Sequence, residues 1–374
     1  MSEGRQLALD TILQRPVKGI GIWLINPMEW EMIDRLAGCP AGSYVRDPVP
    51  VYRRMLENCG CCMVDQWIPM NPLSMKRHGY ESEAERGPTT GAQEIVCDGI
   101  PIREPEDVVR HLETVEFPAL RRAAESFDED AHVAEILRRE REVQDEIGPT
   151  MLKCPYGIVG FPGFAYGKYG YACYFMAHAL YPEVLEEHFR LQAEVCLRAN
   201  RASARAYREG GLPPFCRLDH DMADARGTLV NITVLDRIWF PHFARCIRPL
   251  LDAGVRLIWH CDGNLMQMVP RLLDAGLVGF QGFQYEQGMD YEKICRMKTR
   301  DGGELLIIAG VSVTTTLPFG TPDDVRREMR RLVEHGPRRG LFLGGSSSIT
   351  PGVPWENLKA LQEGFLYYRT HGRH

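Results

Sequence analysis

Short apolar runs ending in polar tips recur along this chain, with amphipathic stretches between them. Eight runs stand out, at residues 19–25, 61–68, 158–164, 214–219, 255–260, 278–283, 305–311 and 340–344. Runs of this length without helical periodicity read as buried strands. Helical spacing follows several of them. Residues 182–208 carry Val184, Leu185, His188, Phe189, Leu191, Val195 and Cys196 on one face, and 234–251 carry Leu235, Ile238, Trp239, Phe243, Ile247 and Leu250. A third helix, 323–335, follows Thr321-Pro322, an N-cap with proline at the first helical position. Strand and helix alternating through short connections predict a parallel sheet, and eight strands predict a single (β/α)8 barrel, here with N-terminal helices.

Residues from about 72 to 153 break this rhythm. They are polar, contain Glu85-Arg86-Gly87-Pro88-Thr89-Thr90-Gly91, and then form charged helical segments at 106–114 and 129–147. A long insertion between the second and third strands, covering or flanking the barrel mouth, accounts for them. No linker, repeat or low-complexity tract divides the chain, so residues 1–374 are expected to form one domain.

Composition narrows the class. The chain is 44% hydrophobic and 25% charged, ordinary for a globular protein with a full core. Its 44 basic and 50 acidic residues leave a net charge of −6, which disfavours nucleic acid and anionic membranes as partners. No apolar run approaches the ~18 residues of a membrane span. Twelve scattered cysteines, and an N-terminus with no apolar signal region, predict reduced thiols and a cytoplasmic location. Cys59, Cys61 and Cys62 lack a second ligand pair at zinc-finger spacing and read as core residues.

In a parallel barrel, chemistry lies beyond the carboxyl ends of the strands. Those ends carry Asn26, Gln66 and Trp67, Phe164 and Tyr166, then Asp219, His220 and Asp221. They continue with His260 and Asp262, Gln284, Tyr285 and Glu286, Ser312 and Thr314, and finally Ser346, Ser347 and Ser348. His260 and Asp262 stand two apart, so in extended backbone they share a face while Cys261 points away. They are the first candidates for metal ligands, since imidazole and carboxylate both suit zinc. Glu286, Asp221 or His220 could supply a third. The competing reading has Asp262 capping a turn and His260 hydrogen-bonded inside the barrel. The carboxylates of Asp219, Asp221 and Asp224 crowd His220, an arrangement suited to acid–base work or to a cation. Alternatively, Asp224 caps a turn at Arg226-Gly227 and Asp219 pairs with an arginine. Gly344 to Ser348 is a small-residue loop able to bind phosphate or to admit a bulky ligand. The glycines and aromatics from Gly160 to Gly167 suit either ring stacking or a turn over core aromatics. There is no dinucleotide fingerprint, no P-loop and no Asp-x-His-x-x-Gly corrinoid-binding motif.

Several of these segments carry a family resemblance. Asp221-Met222-Ala223-Asp224-Ala225-Arg226-Gly227-Thr228, Trp239-Phe240-Pro241-His242 and His260-Cys261-Asp262-Gly263-Asn264 appear in that order. They are followed by Gly288-Met289-Asp290-Tyr291, Gly320-Thr321-Pro322-Asp323-Asp324-Val325 and Pro351-Gly352-Val353-Pro354-Trp355-Glu356-Asn357. The series resembles the uroporphyrinogen decarboxylase superfamily, from about Gly211 onward and more faintly over 17–65. The resemblance implies a (β/α)8 barrel and one of two activities. True decarboxylases grip substrate carboxylates with an arginine-rich motif after the first strand, where this chain has Trp23-Leu24-Ile25-Asn26-Pro27-Met28. The other branch comprises cobamide-dependent methyltransferases, whose zinc is held by His-x-Cys-Gly and a later cysteine. His260 matches their histidine; Asp262 replaces the first thiolate, and one of the three serines replaces the second.

The resemblance therefore implies a methyltransferase acting between a small substrate and a separate corrinoid protein. An oxygen-rich zinc site would polarise an ether or hydroxyl oxygen, which suits methoxylated aromatics and O-demethylation. Expected metal ligands are His260, Asp262 and Glu286, with Asp221, His220 and Glu286 in catalysis. Expected substrate contacts are Trp23, Asn26, Trp67, Phe164, Tyr166, Tyr285 and Ser347. Homodimer formation is left open. The alternatives are a metal-independent decarboxylase of a tetrapyrrole or smaller acid, and a non-catalytic binding subunit.

Overall fold

The computed structural model describes residues 2–24, 26–70, 87–89, 91–92, 94–260 and 262–373. Cys261 and most of the 71–93 stretch, with much of Glu85 to Gly91, lie outside the described residues.

Eight short parallel strands organise the chain: β1 (Gly21–Ile22), β2 (Met63–Val64), β3 (Leu152–Lys153), β4 (Phe215–Asp219), β5 (Arg256–His260), β6 (Gly279–Gly282), β7 (Leu306–Val311) and β8 (Leu341–Gly345). Six of them form one sheet in the order β1-β8-β7-β6-β5-β4, and β2 pairs with β3. The Cys62 N–H donates to the Ile22 carbonyl at 3.0 Å, which ties the pair to one edge of the sheet. A parallel bridge between Tyr156 and Arg217 ties it to the other. This α/β order is consistent with a (β/α)8 barrel.

Seven of the eight expected strands fall within or close to their apolar runs. The third does not. Strand β3 is Leu152–Lys153, while residues 158–164 are irregular backbone leading to the mouth. Gly160, Pro162 and Gly163 interrupt that apolar run, and proline cannot donate to a ladder. The buried lysine disguised the true strand. Lys153 hides its ammonium against Glu140 at 2.9 Å and the Cys154 carbonyl at 2.6 Å. The expected helix 234–251 is two helices, Ile232–Ile238 and Phe240–Asp252, because Pro241 starts a new helix after Trp239. The 106–114 segment becomes Pro105–His111 followed by a π-helical turn, Leu112–Glu116.

Packing follows the alternation of the strands. Phe215, Ile258, Leu306 and Phe342 turn inward and meet Ala8 and Ile12 of the N-terminal helix Glu3–Ile12 in one buried cluster. The helix thus covers the amino-terminal end of the strands. Each buried aromatic or large aliphatic side chain there contributes roughly 1.5–3 kcal/mol. On their outer faces the strands meet helices such as Pro182–Gly210, Pro322–His335 and Trp355–His371. The Thr321–Asp324 capping box fixes the start of the second of these. No helix among the described residues is long and apolar enough to cross a membrane.

Toward the carboxyl ends of the strands the interior turns polar. Arg217 on β4 is 2% exposed. Its Nε donates to Asp65 at 2.8 Å, Nη1 to Asp219 at 2.8 Å and Nη2 to Gln66 at 3.3 Å. The guanidinium also lies 5.2 Å from the Trp23 ring and 4.8 Å from the Tyr156 ring. Trp23 Nε1 and the Gln66 N–H donate to the free oxygen of Asp65. Burial alone would raise the Asp65 carboxyl, but the Arg217 charge and these N–H donors hold it below the usual carboxylate range. Its stabilisation is therefore fully present above the unfolded carboxylate pKa of about 3.9 and is lost as pH falls through the depressed folded value. Arg217→Met leaves Asp65 buried and unpaired. It is expected to cost about 3–5 kcal/mol in denaturant unfolding near neutral pH and to flatten the acid limb of the stability curve. Wild-type stability retained in that variant would refute this account.

Candidate metal centre and cleft

Three strand ends are stitched together at the mouth. Beyond β4 the chain passes through His220 and Asp221 into a tight hairpin, Ala223–Asp224 paired with Gly227–Thr228. Beyond β5 the Asp262 N–H donates to Asp221 Oδ1 at 3.0 Å, and the Asn264 N–H to the Asp224 carbonyl at 2.8 Å. The Gly263 N–H donates to Gln284 Oε1, beyond β6, at 2.7 Å. Gly263 has φ +85°, and a Cβ there would sit 2.8 Å from the Asp224 carbonyl, so this crossing requires glycine.

The stitching assembles a donor set. Ligand atoms of Asp221, His260 and Asp262 all lie within 4.8 Å of one another. His260 is buried, and its Nδ1 faces the Gln281 carbonyl at 3.4 Å. A hydrogen on Nδ1 directed at that carbonyl leaves Nε2 as the lone-pair nitrogen, 4.0 Å from Asp262 Oδ1. Ser347 donates to Asp262 Oδ2 at 3.4 Å. Burial and then the neighbouring Asp221 and Asp219 push the Asp262 carboxyl up, although the His260 charge opposes them. Asp219 differs. Burial would raise it, but His260, Arg217 and the Tyr156 hydroxyl hold it low. Two carboxylates crowding one imidazole form a chemical setting for a divalent cation.

A cleft of about 930 Å³ opens beside this group. Asp221 and Asp262 lie at its edge with Tyr171 and Phe175, and Asn231, Gln267, Gln284 and Gln287 line the rest. Tyr166 stacks on Tyr171 with ring centroids 4.9 Å apart and donates its hydroxyl to the Asp221 carbonyl at 3.1 Å.

The remaining candidates are distributed unevenly. His220 lies 5.9 Å from the Tyr166 ring, but its Nε2 accepts the Phe164 N–H at 2.7 Å, and burial lowers its pKa. Glu286 stands outside the three-residue group, bonded to Thr314 and Ser312, in a separate hollow with Tyr285 and Glu328. Trp23 and Phe164 are packed inside and support the mouth from behind. Trp67 lies edge-on to Tyr52 and bonds Glu146 at 2.7 Å. Tyr285 donates to the Gly310 carbonyl at 2.9 Å. Asp224 takes its turn-capping role, accepting the Arg226 N–H at 2.7 Å. Cys59, Cys61 and Cys62 are buried, with thiols pushed up by burial. Sequence reasoning passed over Arg217, Tyr156 and Gln281. A signal existed: Asp65 sits in an apolar run, and a buried carboxylate demands a cation.

Residues 220–364 match the uroporphyrinogen decarboxylase family. A solved methyltransferase from Methanosarcina mazei shares the fold, with a TM-score of 0.57 at 14% identity over 98% of this chain and 99% of its own. A B12-independent methionine synthase from Shewanella sp. W3-18-1 overlaps 63% of this chain and 67% of its own at 13% identity, with a TM-score of 0.40, too loose to carry inference. No curated protein matches the sequence.

Elemental analysis and zinc titration of purified protein are expected to give one divalent ion per chain. His260→Ala and Asp262→Ala should lose it, while Ser347→Ala, which only supports Asp262, should weaken it about 10–100-fold. Affinity should fall with pH from above the usual carboxylate range, since the raised Asp262 must ionise to bind. Equal metal content in wild type and both alanine variants would exclude this centre.

Proposed function

We propose that this protein is a methyltransferase on a closed (β/α)8 barrel, moving a methyl group from a small methoxylated substrate to a corrinoid carried by a separate protein. The observation that carries the reading is the Asp221–His260–Asp262 group beside a cleft that Asp221 and Asp262 help to line. The donor set fits a divalent metal. Zinc held there would supply Lewis-acid polarisation of the substrate's ether or hydroxyl oxygen. Carboxylates in place of thiolates make such a centre harder, which favours an oxygen substrate over a thiol.

The chain's own residues do the rest. Ser347 and the Asp262 N–H orient the two carboxylates. The Nδ1 contact with the Gln281 carbonyl fixes the His260 ring. Tyr166, Tyr171 and Phe175 form an aromatic wall against which a flat ring can lie, and they limit water beside the reacting oxygen. Full-length similarity in fold to a methyltransferase is in keeping with this reading.

Charge argues against a tetrapyrrole polycarboxylate. Asp65, Asp219, Asp221 and Asp262 gather at the mouth, and the buried Arg217 is spent on the first two. A substrate carrying several carboxylates would meet repulsion where a decarboxylase needs a grip. Methyl transfer from methoxyarenes to a reduced corrinoid protein, followed by the corrinoid spectrum, tests the proposal. Turnover is expected in wild type and a loss of at least about 100-fold in His260→Ala. Carbon dioxide release from uroporphyrinogen, with no corrinoid methylation, would replace this reading by a decarboxylase.

A further inference from the structure

The last strand ends in a loop that reaches three other strands in three consecutive residues. The Ser346 carbonyl accepts from Gln281 Nε2 at 3.2 Å, Ser347 donates to Asp262, and Ser348 accepts from Asn26 Nδ2 at 2.8 Å. The loop lies close because Gly310 faces it: a Cβ there would fall 2.2 Å from the Ser346 nitrogen. Both amides direct an N–H at this loop, and their carbonyl oxygens are left over. Gln281 Oε1 and Asn26 Oδ1 are buried without a hydrogen-bond partner among the described residues. Gln281 is 3% exposed and Asn26 4% exposed. Reversing the Gln281 amide would not help, because the Ser346 carbonyl needs a donor and gets one only in the present orientation.

An unpaired buried amide oxygen is costly, and its persistence at a strand end calls for a partner. Gln281 is the register neighbour of His260, so its side chain projects from the same side of the sheet, beside the donor group. Donors nearby are already committed: Arg217 to Asp65, Asp219 and Gln66, Tyr156 to Asp219, and Ser347 to Asp262. These donors are therefore not available to the Gln281 oxygen.

We propose that Gln281 is a specificity-determining residue whose amide oxygen accepts a hydrogen bond from a hydroxyl or amine N–H of the substrate, with Asn26 as a second acceptor across the serine loop. The substrate class is thereby narrowed to methoxylated rings that also carry such a donor. The inference rests on the methyltransferase reading and adds a substrate requirement that the metal group alone does not impose.

Two probes of one shape separate the cases: ortho-methoxyphenol, and ortho-dimethoxybenzene, in which the hydroxyl hydrogen is replaced by methyl. Calorimetric binding to the zinc-loaded full chain is expected to favour the phenol by about tenfold or more. Gln281→Met, close in shape but without acceptor or donor, should reduce that ratio to within about twofold. Asn26→Gly, which keeps the left-handed backbone at φ +53°, should reduce it in part. Gln281→Glu retains an acceptor oxygen and should retain the preference, which separates lost recognition from a disturbed loop. Equal wild-type affinity for the two probes, or an undiminished ratio in Gln281→Met, overturns the proposal while leaving methyl transfer intact. Binding of neither probe overturns it together with the methoxyarene reading beneath it.

Discussion

A guanidinium taken out of water governs the mouth of this protein. Arg217 projects inward from β4 and binds Asp65 beyond β2 and Asp219 at the end of its own strand. The Trp23 and Tyr156 rings enclose it. Removing these charges from water is costly, and only near-complete pairing offsets that cost. The consequence is positional. Asp65 and Asp219 cannot swing to other partners, so the short strands β2 and β4 are held in fixed relation. Asp219 then stands, ionised, beside His260.

The Asp221–His260–Asp262 donor group depends on that anchorage but is built by different forces. Backbone N–H groups beyond one strand donate to side chains beyond the next, from Asp262 to Asp221 and from Gly263 to Gln284. Glycine at 263 and 310 lets backbones approach where any side chain would collide. Repulsion between Asp221 and Asp262 is thus imposed by the fold, since both carboxylates are tied by bonds that do not depend on a cation. A preorganised site of this kind holds its ligands ready, at some expense in stability.

The resemblance to cobamide-dependent methyltransferases and the observed donor set bear on each other. Where that branch carries thiolates, this chain presents Asp262 and the serine loop. The structure gives the serines a coherent part, with Ser347 supporting Asp262 while Ser346 and Ser348 accept from Gln281 and Asn26.

Much of this was legible in the residues alone. Apolar runs closed by polar tips located seven strands, because a buried parallel strand must be apolar on both faces. The two-residue spacing of His260 and Asp262 put them on one face, because strand side chains alternate. Asp224 beside Arg226-Gly227 announced its turn. What failed did so where distant partners override local pattern. Lys153 breaks an apolar run yet lies in a strand, because Glu140 comes to it from a helix of the insertion. Asp221 lies in the donor group, from which Glu286 stands apart, because the hairpin after β4 folds back on β5, a contact between residues about forty apart. The amide oxygen of Gln281 becomes informative only once its nitrogen is seen to face the Ser346 carbonyl. Periodicity determines which side chains face inward. Only the assembled sheet decides which of them meet, because pairing across strands depends on register and burial that no single segment contains.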